Sequence, residues 1–277
     1  MRFVRLPDAS TAPALGLGTW RLGEDGTRRA QEVAALRQAI ELGFRLIDTA
    51  EMYGQGGAES VVGQAIAGRR DKVYLVSKVL PQNSWVKAAR VACEASLRRL
   101  GTDYLDLYLL HWRGEVALPE VIEAMERLVS AGKIRRWGVS NFDTADLAEL
   151  WSIPDGERCA TNQVWYSLGQ RGIEFELLPW QRARGLPTMA YCPLDEGRLA
   201  RDPRLAALAR RYRLSAAQIA LAWLLRQPDV IVLPQSIQAQ HLQENLGAAR
   251  LQLDPADLAE LDQLFPPPAY RQPLSMV

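Results

Sequence analysis

Val73-Tyr74-Leu75-Val76-Ser77-Lys78 is a short β-rich apolar run that ends on a lysine. Only three other lysines occur in the chain, Lys72, Lys87 and Lys133; arginine supplies the rest of the positive charge. Two further runs end on an ionisable residue in the same way, Phe44-Arg45-Leu46-Ile47-Asp48 and Leu105-Asp106-Leu107-Tyr108-Leu109-Leu110-His111. Outward from these, β-rich runs recur near 15–18, 134–139, 160–164, 188–191 and 230–233. Helical periodicity fills the intervals, most clearly at 28–42, 58–68, 84–100, 116–131, 174–184, 203–212 and 215–226. Boundary signals agree: Gly43 follows the first helix, Pro119 opens the fourth, Gly132 ends it, and Ser215 is an N-cap. Eight strands alternating with helices over about 250 residues predict an α/β fold, a closed (β/α)8 TIM barrel. No Gly-x-Gly-x-x-Gly follows any of these strands, so a doubly wound dinucleotide-binding sheet lacks its fingerprint. A single domain over 1–277 is expected, with a hairpin at 2–13 plugging the barrel floor. An extra C-terminal helix at 255–264 is closed by Phe265-Pro266-Pro267-Pro268.

The bulk composition excludes more than it identifies. A net charge of +1 gives no electrostatic reason to bind nucleic acid or an anionic membrane. No apolar stretch approaches a membrane span, and the opening residues break too early for a secretory signal. Cys93, Cys159 and Cys192 form no Cys-x-x-Cys pair and read as free thiols in a reducing compartment, hence a cytoplasmic protein. Only His111 and His241 offer imidazole, so no metal site is expected.

In such a barrel, functional groups stand at the C-terminal ends of the strands. Asp48, Lys78 and His111 hold that position on the second, third and fourth strands, with Tyr53 on the loop after the second. Each alone has an ordinary reading: a turn or cap for Asp48, a snorkelling lysine, a structural histidine, an uninformative tyrosine. Their convergence at one mouth suits proton transfer at a carbonyl. A nearby ammonium lowers a phenol's pKa by stabilising phenolate, and Asp48 would hold that ammonium in place. His111 would orient the substrate oxygen. Arginine at 78 would fit less well, because a broad fork cannot replace a compact point charge.

The chain resembles the aldo-keto reductase family. The matching segments are Gly18-Thr19-Trp20, Ile47 to Gly54, Val76-Ser77-Lys78, Asp103 to Trp112, Gly132 to Arg135, Gly138 to Phe142, Asn162-Gln163 and Tyr191 to Leu194, in family order. The resemblance implies a (β/α)8 barrel that reduces aldehydes or ketones with a nicotinamide cofactor. It makes Tyr53 the proton donor, Asp48 and Lys78 its tuning pair, and His111 the group that positions substrate. Gly18, Thr19, Trp20 and Asp48 fall at the cofactor site. Ser140, Asn141 and Gln163 match the residues that bond the carboxamide, Tyr191 the ring that stacks on the nicotinamide, and Cys192, Pro193 and Leu194 the backbone near the pyrophosphate. Glu244 and Asn245 match the adenine contacts. At the 2′-phosphate position, beside Ser236, the sequence departs from the family: Gln235 stands for the usual lysine and His241 for the usual arginine. NADPH is the expected cofactor, with weaker discrimination against NADH.

Trp20, Trp85 and Trp112 fall in loops at the mouth and are expected to wall the substrate pocket, while Trp137 and Trp223 read as core. Short mouth loops point to small carbonyl substrates, and the whole-chain resemblance is to a bacterial branch associated with methylglyoxal and other 2-oxoaldehydes. A monomer is expected. Two other readings stand beside this one: a barrel aldolase in which Lys78 forms a Schiff base, and a non-catalytic module that senses redox state through bound cofactor.

Overall fold

The structure, a computed structural model, describes residues 2–277. Eight parallel strands form one sheet in chain order: β3 (Leu17–Gly18), β4 (Leu46–Asp48), β5 (Tyr74–Val79), β6 (Leu107–Leu110), β7 (Trp137–Ser140), β8 (Asn162–Trp165), β9 (Thr188–Tyr191) and β10 (Val230–Leu233). The ring closes where Leu15 bridges Val232 and Gly18 N donates to Pro234 O at 3.0 Å. The expected TIM barrel is therefore present. Its first strand is shorter than 15–18, because Leu15 and Gly16 meet the last strand rather than the second.

An antiparallel hairpin, β1 (Phe3–Arg5) with β2 (Thr11–Pro13), precedes the barrel. It sits at the floor, as expected. Arg2 donates to the carbonyl of Val230, where β10 begins, and Arg136, just before β7, pairs with Asp8 at 2.6 Å. Val4, Leu6, Ala12 and Ala14 are buried there.

The surrounding helices are α1 (Arg29–Leu42), α2 (Gly57–Ile66), α3 (Val86–Leu100), α4 (Leu118–Ser130), α5 (Thr144–Trp151), α6 (Leu177–Ala183), α7 (Pro203–Tyr212), α8 (Ala216–Leu225), α9 (Ala239–Ala248) and α10 (Pro255–Leu264). Ser215 caps α8 in a reciprocal box with Gln218, and Gly43 ends α1 at φ 116°, a left-handed turn that a β-carbon would strain. α5 escapes a reading by periodicity because it has eight residues and buries only Leu147 and Leu150. Its signal is a cap, Asp143 with Asp146. Trp137 and Trp223 are core residues, and all three cysteines are free thiols. No helix among the described residues is long and apolar enough to cross a membrane.

Candidate active site

The sheet order carries three ionisable side chains to one end of the barrel. Asp48 is the last residue of β4, Lys78 the next-to-last of β5, and His111 follows β6. Register pairs Asp48 with Val76 and Lys78 with Leu109, so the lysine stands one layer above the carboxylate. Tyr53 arrives on a 3-10 turn, Tyr53–Gly56, in which Gly54 (φ 54°) and Gly56 (φ 88°) take left-handed conformations. A β-carbon on Gly57 would lie 2.3 Å from the Gly23 carbonyl, so small residues also let this loop pack on the one after β3.

Lys78 is fully buried and its ammonium is saturated. Nζ donates to Asp48 Oδ2 at 2.6 Å, to Thr49 O at 2.9 Å and to Tyr53 Oη at 3.2 Å. Burial alone would depress its pKa, but the Asp48 carboxylate and Tyr53 outweigh burial and hold the ammonium above the ordinary lysine value. That arrangement leaves no free amine for a Schiff base.

For Tyr53 the balance runs against the expectation from sequence. Burial of the hydroxyl raises the phenol most; Lys78 pulls it down and Asp48 pushes it up again. The net position is above the ordinary tyrosine value. The ammonium does act in the expected direction, but taking a phenolate out of water costs more than one already-paired cation returns. Tyr53 is thus a protonated phenol with a cation beside its oxygen.

His111 lies edge-on to Tyr53, ring centroids 5.7 Å apart, and its Nδ1 is buried without a partner among the described residues. Burial, then the Lys78 charge, pushes its pKa down to about 3. The folded value is thus depressed below the unfolded value of about 6.5, so protonation favours the unfolded chain. Stability is full above that unfolded value and declines as pH falls toward 3. His111→Gln should therefore flatten the fall in Tm between pH 6.5 and 4 relative to the parent protein; parallel Tm curves for the two would contradict a neutral buried imidazole.

A cleft of about 630 Å³ opens over this cluster. Gly18, Trp20, Asp48, Tyr53, His111 and Trp112 line one side. Ser140, Asn141, Gln163, Tyr191 and the Cys192-Pro193-Leu194 turn line the other, with Gln235 and His241 at the rim. Gln163 donates to Asp48 Oδ1 at 2.8 Å, and Tyr191 Oη to Asn141 Oδ1 at 2.9 Å. Ser140 Oγ donates to the Gln163 carbonyl at 2.9 Å. The backbone turns sharply at Asn141 (φ 58°) and Cys192 (φ 47°). The Cys192 thiol is pushed up to about 11, chiefly by burial, so it is no thiolate nucleophile.

Several residues singled out from sequence do not line the cleft. Trp85 is one: the loop after β5 folds into a 3-10 turn at Pro81–Asn83, pinned by Glu51 to Leu80 N and Asn83 Nδ2, which leaves Trp85 41% exposed at the start of α3. Thr19 lies beneath the cleft and donates to the Asp48 carbonyl at 3.0 Å. Ser236 reaches His241 Nδ1 at 3.4 Å, while Glu244 accepts from Ser215 and Gln240, and Asn245 is buried in α9. Gln235 donates to the Trp20 carbonyl, joining the two ends of the barrel sheet. Sequence reading missed other lining residues: Met52, Arg21, Glu196, Arg201 and the terminal pair Met276-Val277. Arg21 and Glu196 form an ion pair at 3.4 Å across the cleft mouth. The only sequence signal for Arg201 is its place in a loop at the strands' C-terminal end.

Comparison with known proteins agrees with this geometry. The model of the aldo/keto reductase family matches residues 14–265. The chain is 53% identical over 270 residues to methylglyoxal reductase YeaE of Escherichia coli (strain K12), covering 96% of this chain and 95% of that protein. It is 33% identical over 262 residues to glyoxal reductase of Bacillus subtilis (strain 168), covering 94% and 92%. Among solved structures, the aldo-keto reductase from Klebsiella pneumoniae in complex with NADPH superposes with a TM-score of 0.97 at 52% identity, over 100% of this chain and 99% of that one.

Proposed function

The chain belongs to the aldo/keto reductase family, and from that premise we propose that it reduces small aldehydes and ketones, 2-oxoaldehydes such as methylglyoxal among them, to alcohols with NADPH. One observation carries this reading: a fully buried ammonium within hydrogen-bonding distance of both a carboxylate and the Tyr53 hydroxyl, at the foot of an open cleft.

The residues present fit a nicotinamide nucleotide. Both Gln163 amide protons are engaged, by Asp48 Oδ1 and by Met189 Sδ, so its Oε1 is an acceptor without a donor among the described residues. A carboxamide NH2 is the complement of that atom. Ser140 and Asn141 would border the same group, and the Tyr191 ring, steadied by its bond to Asn141, would stack on the nicotinamide. Gly18 and Trp20 would shape the near wall, with Thr19 supporting them from beneath. Cys192, Pro193 and Leu194 would approach the pyrophosphate, with Ser236, Glu244 and Asn245 toward the adenosine end. When bound, the reduced nicotinamide supplies a hydride to the carbonyl carbon.

Tyr53 would give its proton to the carbonyl oxygen as negative charge builds there, and Lys78 would stabilise the charge left on the phenol oxygen. Asp48 keeps the ammonium aimed. His111, neutral throughout the working range, would hydrogen-bond the substrate oxygen through Nε2, since Nδ1 is buried without a partner. Trp20, Trp112 and Met52 would wall the substrate. Turnover with methylglyoxal, glyoxal and simple aldehydes, followed by loss of NADPH absorbance, tests the proposal. A protein that binds NADPH yet turns over none of them would instead be the cofactor-sensing module.

At the adenosine end, neither Gln235 nor His241 offers a fixed cation, and Arg201 is the lining cation that pairs with no carboxylate among the described residues. Gln235→Lys combined with His241→Arg is expected to tighten NADPH by about tenfold, the scale of one added charge-assisted hydrogen bond at an open site, with NADH little changed. Equal shifts in the two Kd values would show that neither side chain faces the 2′-phosphate.

A further inference from the structure

We propose that Gln163 is a positioning residue for proton transfer as well as a contact for the cofactor's carboxamide, because it holds the second oxygen of Asp48 from the opposite wall of the barrel. The inference rests on the reductase reading above. β4 and β8 lie four places apart in the eight-stranded ring, so their side chains face each other across the barrel interior. Gln163 Nε2 crosses that interior to Asp48 Oδ1 at 2.8 Å, while Lys78 Nζ takes Asp48 Oδ2 at 2.6 Å. The carboxylate is thereby clamped at both oxygens, and neither it nor the ammonium can rotate without breaking a buried hydrogen bond.

The orientation of the Gln163 amide follows from chemistry. An ionised carboxylate only accepts, so the NH2 must face Asp48 and the carbonyl must face away. The second amide proton is directed at Met189 Sδ at 2.8 Å. The backbone is fixed too: the Gln163 carbonyl accepts from Ser140 Oγ at 2.9 Å and from Asn141 N at 2.8 Å. Gln163 therefore has one atom left for a ligand, Oε1, and that atom is bonded through the amide to the group that steadies Lys78. Reading the carboxamide and holding the proton donor's cation become properties of one side chain.

Gln163→Glu tests this with almost no change of volume. It places a carboxyl against Asp48, and like charges at that distance raise the pKa of the pair. While the introduced carboxyl keeps its proton it can still donate to Asp48; once ionised it repels it. Its folded-state pKa is raised above the unfolded value near 4.3, so the penalty grows as pH climbs above that value. The cofactor-free variant should therefore lose more Tm, relative to the parent protein, at pH 8 than at pH 5. Its kcat should fall by about tenfold over the same interval while the parent's stays flat, on the scale of a weakened general acid.

A Tm deficit independent of pH, with a constant kcat ratio and a change confined to NADPH Kd, would reduce Gln163 to a carboxamide contact and overturn the proposal. Should the parent reduce no carbonyl, the reductase reading fails, but the Tm series still decides whether Gln163 clamps Asp48. If Gln163→Glu does not fold, Gln163→Met removes donor and acceptor at similar size. There kcat should drop by more than Kd rises, and a raised Kd with unchanged kcat would count against the clamp.

Discussion

Tyr53→Phe is expected to lower kcat for carbonyl reduction by roughly 10²–10⁴-fold, the range associated with a positioned general acid, while the Kd for NADPH stays within about twofold. The substitution removes one oxygen and leaves the ring to fill its place between His111 and the Lys78 ammonium, which lies 4.8 Å from the ring centroid. Lys78 keeps Asp48 Oδ2 and Thr49 O as partners, so stability should fall by only about 1 kcal/mol. Because burial holds the phenol above its ordinary value, the proton is present at every pH used for assay. The parent's kcat for reduction should accordingly be level through neutral pH, with no limb near the ordinary histidine value, since His111 is pushed down to about 3. Steady-state rates and fluorescence titration with NADPH check both halves. A variant with kcat near the parent's would remove Tyr53 from the chemistry.

The legible parts of this molecule were those with a one-dimensional signature. Asp48, Lys78 and His111 each end an apolar run, and an ionisable residue there must sit at the barrel mouth once the runs are parallel strands. The floor hairpin, the Ser215 cap and the buried Trp137 and Trp223 followed from local rules of the same kind. What escaped depends on distance across the fold. The Gln163–Asp48 bond joins residues 115 apart in sequence, and a glutamine inside a strand carries no local sign of its partner. The direction of the Tyr53 shift turns on how deeply its hydroxyl is buried, which only the packed loop decides. Trp85 has the loop position of a wall residue, but Glu51, from the segment after β4, ties down the turn that precedes it and Trp85 is left exposed at the start of α3. Met276-Val277 reach the cleft from a terminal segment whose spacing says nothing about the mouth.

Lys78→Met should abolish turnover and destabilise the protein by about 3–5 kcal/mol, as expected when one partner of a buried ion pair is removed. Lys78 has no exposed side-chain surface and Asp48 only 4%, so methionine would leave a carboxylate facing apolar atoms with Gln163 as its one remaining donor. The lysine's pKa is raised in the folded state, so its stabilising contribution is present below the ordinary lysine value and is lost only as pH rises through the folded one. Unfolding measured near pH 7 therefore reads the full effect. Adding Asp48→Asn to Lys78→Met removes the stranded charge and should recover part of the lost stability without restoring activity. Lys78→Arg should also be inactive, because a planar fork cannot occupy a slot closed by Asp48, Thr49 and Tyr53 at 2.6, 2.9 and 3.2 Å. The double variant separates the two consequences of the lysine. If it were no more stable than Lys78→Met alone, the ion pair would not be what holds this corner of the barrel. If Lys78→Met kept measurable turnover, the phenol would be giving up its proton without the cation, and the tuning assigned to that pair would have to come from elsewhere.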